Sequence, residues 1–223
     1  MPDTVESLYE QLFPLTTVMK QRVVENFSGD SLDTDRWATH GSGSYNMGDS
    51  VDGGLKLISP NSGAQSIDFA PSDATKKRPF NQTGSVMIVT SKMTLAQYSI
   101  QYGGFRDVYY TEAGSRAGWS TSGVTNGNSF DNKIILLGSG TAVISVDTSI
   151  ASGDIHNWHT YKLELSSGTA SLSIDGVLSG TGFASGSSNP SNQCTPYLNS
   201  SASEGTITGG AISNFTYFEA YNT

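Results

Sequence analysis

The sequence predicts an all-β fold, a sandwich of two antiparallel sheets, and three observations carry that expectation. Short segments of strand character recur at regular spacing from Arg22 to the C-terminus, separated by turn residues. Within them apolar and polar side chains alternate, most clearly in Tyr161-Lys162-Leu163-Glu164-Leu165 and Ser171-Leu172-Ser173-Ile174. Only 14% of residues are charged, and the 36% that are hydrophobic are interleaved mostly with Ser, Thr, Asn and 25 glycines, a composition of short strands and tight turns. Three Trp, ten Tyr and nine Phe supply the apolar area for a core, so the chain is not a disordered one.

The elements follow in order. Val5, Leu8, Leu12 and Leu15 have roughly helical spacing, with Ser7, Glu10 and Gln11 between them, until Pro14 interrupts the pattern. Residues 3–13 are therefore expected as a short amphipathic helix and 14–22 as an extended arm. The arm either packs on its own sandwich or docks on a partner. Strands are expected at Val23–Phe27, Leu55–Ser59, Ala64–Phe69, Gly84–Met93, Tyr98–Phe105, Tyr109–Glu112, Arg116–Thr121 and Phe130–Leu137. They continue at Thr141–Asp147, Trp158–Ser166, Thr169–Ile174, Val177–Gly182, Gln193–Asn199 and Ala211–Tyr221. Asp175-Gly176 between two alternating runs is a hairpin signal, because both turn positions need φ > 0. No internal repeat or linker divides residues 23–223, which read as one domain behind an arm of residues 1–22.

Charge and motifs exclude several classes. A net charge of −8 argues against a nucleic-acid partner. The one cationic cluster, Lys76-Lys77-Arg78, reads as a solvated loop. Cys194 is the single cysteine, so no intrachain disulfide forms and a buried structural thiol is expected. No stretch is long and apolar enough to insert in a membrane, and the N-terminus has no continuous apolar leader, so synthesis in a cytosol is expected. His156 and His159, three apart, read as a surface or half-buried pair and His40 stands alone; none makes a metal motif. Asp30, Asp33 and Asp35 read as the cap of a turn.

Four segments stand out in order along the chain: Glu25-Asn26-Phe27 with Leu32-Asp33-Thr34-Asp35-Arg36-Trp37; Asp52-Gly53-Gly54-Leu55-Lys56-Leu57; Trp158-His159-Thr160-Tyr161-Lys162-Leu163-Glu164 with Ser173-Ile174-Asp175-Gly176-Val177; and Ile212–Tyr221. Together they resemble the concanavalin A-like lectin/glucanase family, in its laminarinase/lichenase branch. In turn they are similar to that family's opening strand and Trp-ending turn, the turn and strand that follow, its late paired strands, and the closing strand that returns beside the first. The resemblance spans residues 23–221 and implies a jelly roll whose concave face often holds carbohydrate.

It also implies where catalysis would sit. Retaining glycosidases need two carboxyl groups roughly 5–5.5 Å apart. In this family one strand supplies them as Glu-x-Asp-x-x-Glu or a close variant, since i and i+2 share a face. The corresponding stretch here, Ala113–Ser122, offers Arg116 and Trp119 and no acid, while Asp107 and Glu112 upstream have other spacing. The expectation is a protein that is not an enzyme, a glycoside hydrolase being the least favoured reading.

A sugar site would instead use aromatic faces and a few planar polar groups. Trp119, Tyr98, Tyr102, Arg106 and Tyr109 are the candidates, Trp119 as a stacking platform or else as core, the tyrosines as contacts or else as sheet packing. The family's structural calcium would fall by resemblance on the backbone oxygens of Asn26 and Gly53 and the side chain of Asn214, where the family more usually has Asp. An amide there lowers the charge of the ligand set. The setting expected is the surface of a virus or phage particle. A decoration or fibre subunit would dock on a capsid protein through its arm, form a homo-oligomer and offer its concave face to host-surface carbohydrate. The alternative is a stand-alone carbohydrate-binding module or lectin that acts outside cells.

Overall fold

A computed structural model describes residues 22–48, 53–60, 63–69, 80, 83–95, 99–106, 116–123, 130–137, 143–149, 156–167, 169–183, 194–202 and 211–223. The expected helix, the arm but for Arg22, the strand at 109–112, Lys76-Lys77-Arg78, Tyr98 and Tyr109 lie outside them. No helix among the described residues is long and apolar enough to cross a membrane.

The strands are β1 (Arg22–Glu25), β2 (Trp37–Gly41), β3 (Ser44–Met47), β4 (Leu55–Ser59), β5 (Ala64–Phe69), β6 (Ser85–Leu95), β7 (Ser99–Arg106) and β8 (Arg116–Gly123). They continue as β9 (Phe130–Leu137), β10 (Val143–Ser149), β11 (His159–Ser166), β12 (Thr169–Ile174), β13 (Val177–Phe183), β14 (Thr195–Ala202) and β15 (Ala211–Asn222). All pair antiparallel, in two sheets. One runs β13-β12-β11-β6-β15-β4-β3, with β1 also on β15; the other runs β10-β9-β8-β7-β14-β5-β2. The expected two-sheet sandwich is the observed one, and the last strand does return beside the first.

Two strands escaped the sequence reading. β2 and β3 are half-exposed edge elements with few apolar side chains, and Gly41, Gly43 and Gly48 around them read as loop. At the other extreme, β1 stops at Glu25, short of its expected end, because Phe27 takes φ +52° and turns the chain. Asp33 caps the next turn: its side chain accepts from Asp35 N at 3.0 Å and its carbonyl from Trp37 N at 2.9 Å. The Asp175-Gly176 hairpin forms as expected, both residues at positive φ (52° and 81°).

The core lies between the sheets and is built on indoles. Trp37 meets Phe218 edge-on at 5.0 Å and Phe69 at 5.7 Å, tying β2 and β5 to β15. Trp119 stacks on Tyr161 at 5.2 Å and 7°, tying β8 to β11. Cys194 is free and fully buried, paired through its backbone with Phe80.

Candidate functional site

The core contacts fix which face each strand shows. On β8, Ala117 and Trp119 are fully buried in the core and Thr121 reaches Tyr161 of the opposite sheet. Gly118 and Ser120 therefore take the outer face. On β7, Gln101 bonds Ser91 across the core at 2.9 Å and Phe105 packs on Phe80, so Tyr102, Gly104 and Arg106 face outward. On β14, Ser200 bonds Ser213 of the opposite sheet at 3.1 Å, which turns Thr195, Tyr197 and Asn199 outward. Ser66 and Asp68 on β5, with Ala38 and His40 on β2, complete that face opposite Ile67 and Trp37.

Trp119 thus belongs to the inner face and not to a binding surface. Its ring lies over Gly103 of the neighbouring strand, where a Cβ would overlap the indole. Of its two expected roles, stacking platform or core, its burial between Tyr161 and Gly103 is that of a core residue. Its Nε1 is buried without a hydrogen-bond partner among the described residues, so the indole is held by packing and stacking.

Strand register aligns the outward residues into rows across the strands. One row is His40, Ser66, Asn199, Tyr102 and Ser120, one residue from each of β2, β5, β14, β7 and β8. Every member carries a hydrogen-bonding side chain, about one per strand spacing of ~4.8 Å. Tyr102 and Asn199 are half-buried, and the Asn199 Oδ1 is shielded yet accepts no hydrogen bond from the described residues. Ser66 and Ser120 in this row are buried, and a shielded, unpaired acceptor beside the half-exposed Tyr102 calls for a donor. At the His40 end, an open cleft of about 430 Å³ is lined by Thr39, His40, Gly41, Gly43, Ser44, Tyr45 and Gln65.

The adjacent row is Ala38, Asp68, Tyr197, Gly104 and Gly118. Here Arg106 reaches across β14 to Asp68: Nε donates to Oδ1 at 2.7 Å and Nη2 donates to Oδ2. On the way its guanidinium lies 4.7 Å from the centroid of the Tyr197 ring. The bridge is buried, with Asp68 at 0%, Tyr197 at 3% and Arg106 at 7% exposure. Burial pushes the Asp68 carboxyl up to about 6, against the pull of Arg106. His40, whose Nε2 is 3.3 Å from Asp68 Oδ2, is held below its ordinary value by burial and then by the Arg106 charge. At neutral pH the cluster is an ionised pair beside a neutral imidazole. Arg106 is on the expected face, but its guanidinium is committed to Asp68.

Asp68, His40, Asn199 and Tyr197 were missed as site residues. One signal was available: Asp68 stands between Ile67 and Phe69 inside a strand, where a carboxylate needs a partner.

The other histidines have separate structural partners. His156 Nδ1 donates to the Met93 carbonyl at 2.8 Å, and His159 Nδ1 meets Asp175 Oδ2 at 2.7 Å. Among the described residues no three His, Cys, Asp or Glu side chains converge as a metal site.

The expected calcium ligands lie on the opposite sheet, where β1 and β4 pair with the same edge of β15, Asn26 just past the end of β1, Gly53 just before β4 and Asn214 within β15. The donor set does not fit the ion. Asn214 brings an amide, its neighbours in register on both sides are Lys56 and Lys92, and none of the three expected ligands brings a carboxylate.

No protein-family model matches the chain, and no curated protein sequence matches it. Solved structures do. The fold is similar to that of an apo Crh5 transglycosylase, with TM-score 0.65 and 15% identity over 91% of this chain and 84% of that one. It is similar to a glycoside hydrolase family 16 endo-glucanase from Bacteroides ovatus, with TM-score 0.62 and 12% identity over 89% and 99%. An endo-β-1,3-glucanase from Pyrococcus furiosus gives TM-score 0.60 and 10% identity over 90% and 93%. The fold is the concanavalin A-like jelly roll of these proteins, as the sequence resemblance implied.

Proposed function

We propose that this chain is a non-catalytic glycan-binding jelly roll, and that carbohydrate lies across the strands along the His40–Ser66–Asn199–Tyr102–Ser120 row. The observation that carries the reading is the shielded, unpaired Asn199 Oδ1 at the centre of that row. A sugar hydroxyl is the matching donor, and the half-buried Tyr102 beside it offers an aromatic surface to sugar C–H groups. The neighbours in fold support the ligand class: a Crh5 transglycosylase is described in complex with NAG, and a family 7 alginate lyase with its product.

The non-catalytic part rests on β8. Where the family resemblance puts catalytic carboxylates, the outward residues are Gly118 and Ser120, and Asp68, on β5, is tied to Arg106. Two carboxyl groups flanking a bond are what the glucanase reaction requires. The expected virion setting rests on the N-terminal pattern, the acid-free stretch on β8 and the amphipathic arm, and the expected capsid partner and homo-oligomer on the arm. The neighbours in fold are carbohydrate-active proteins, and the reading adopted is the binding module.

The test is a glycan panel read for binding, with reducing-end release measured on every glycan that binds. Binding without release is expected. Release of reducing ends overturns the non-catalytic reading, and a panel with no binder overturns the glycan reading.

A further inference from the structure

We infer that the junction of β1, β4 and β15 is closed by the Lys56–Asn214–Lys92 row and takes no divalent cation, although the fold family implies calcium there. Asn214 is directly opposite Lys56 on β4 and Lys92 on β6. Directly opposite residues in antiparallel pairs share a face, with Cβ atoms about 4.5–5.5 Å apart. Phe215 and Ser213 face the core, so this row is on the outer side of its sheet, where the cation would sit. An oxygen site for calcium draws its affinity from ligand charge. This one offers a neutral amide between two ammonium-bearing chains, so the side-chain charge of the row opposes a cation.

The junction is also complete without an ion. Asn214 is 1% exposed, so its amide is already covered. Gly53 and Gly54 take φ +63° and +74°, which lets the chain close on the Phe215 carbonyl, and Gly48 N donates to Gly54 O at 3.0 Å. The Asn26 side chain accepts from Ser28 N at 3.2 Å and Ser28 Oγ at 2.8 Å. Lys92 Nζ lies 5.0 Å from the Trp158 ring centroid, which anchors it at this face.

The experiment is thermal unfolding of the full chain, stripped with chelator, in millimolar CaCl2 and in EDTA. Alongside it runs a variant carrying Asn214→Asp, Lys56→Met and Lys92→Met together. The wild-type midpoint is expected to agree within about 1 °C in the two conditions. The variant is expected to gain a calcium-dependent rise of about 5–10 °C at hundredfold saturation. A calcium-dependent rise in the wild type overturns the inference. A silent variant that shows the folded far-UV signal overturns the assignment of the exclusion to the row. A variant that does not fold is replaced by Asn214→Asp with Lys56→Met alone, read against the same two outcomes.

Discussion

Replacing Asp68 by Asn tests whether the outer face is braced by a desolvated ion pair. The substitution keeps the volume but leaves the guanidinium of Arg106, a residue 7% exposed, without its counter-charge. Breaking a buried pair from one side costs about 3–5 kcal/mol. The Asn amide oxygen still accepts from Nε, so the lower end, about 3 kcal/mol, is the expected loss at pH 7. With a urea m-value of about 3 kcal/mol/M, the midpoint of unfolding falls by about 1 M with m unchanged. A companion variant, Asp68→Leu with Arg106→Met, removes both charges and is expected to return to within about 1 kcal/mol of the wild type. A loss below about 0.5 kcal/mol for Asp68→Asn refutes the reasoning, because the pair would then behave as a solvated surface bridge. A double variant as unstable as the single one refutes it too, since packing and not charge would be the cause.

Two further outcomes follow from the same geometry. Trp119→Ala is expected to cost about 3–5 kcal/mol of stability in urea unfolding, with glycan affinity per folded molecule unchanged; a selective loss of affinity would return the indole to the binding face. Asn199→Leu and Tyr102→Ala are each expected to weaken glycan binding by about 1–3 kcal/mol by calorimetry, with unfolding midpoints little moved.

How much of this was legible depends on how local the information is. Leu55–Ser59, Ala64–Phe69, Phe130–Leu137 and Thr169–Ile174 were read to the residue because each is a short run bounded by turn formers. The facing of Trp119 was legible as well: Ala117 and Trp119 alternate with Gly118 and Ser120, which puts the indole on the apolar face. β7 was not, since Ile100, Tyr102 and Arg106 on one parity compete with Gln101, Gly103 and Phe105 on the other. Only the Gln101–Ser91 contact across the core and the packing of Phe105 on the buried Phe80 decide it. The Arg106–Asp68 bridge lies beyond any local pattern. Its partners are 38 residues apart, and the strand that separates them, β14, comes roughly ninety residues after Arg106.

That strand order also divides the face into two unequal rows. β14 sits between β5 and β7, so a side chain long enough to cross it can join strands that never pair. Arg106 does so, and in crossing it closes the row that holds Asp68 and Tyr197. The next row, two residues along each strand, has no such cover over Tyr102 and Asn199, which remain half-exposed. A ligand on this face is therefore directed to the second row. Arg106, expected from sequence as a sugar contact, has its guanidinium committed to Asp68 instead, and in this way braces β7 to β5 across the strand between them.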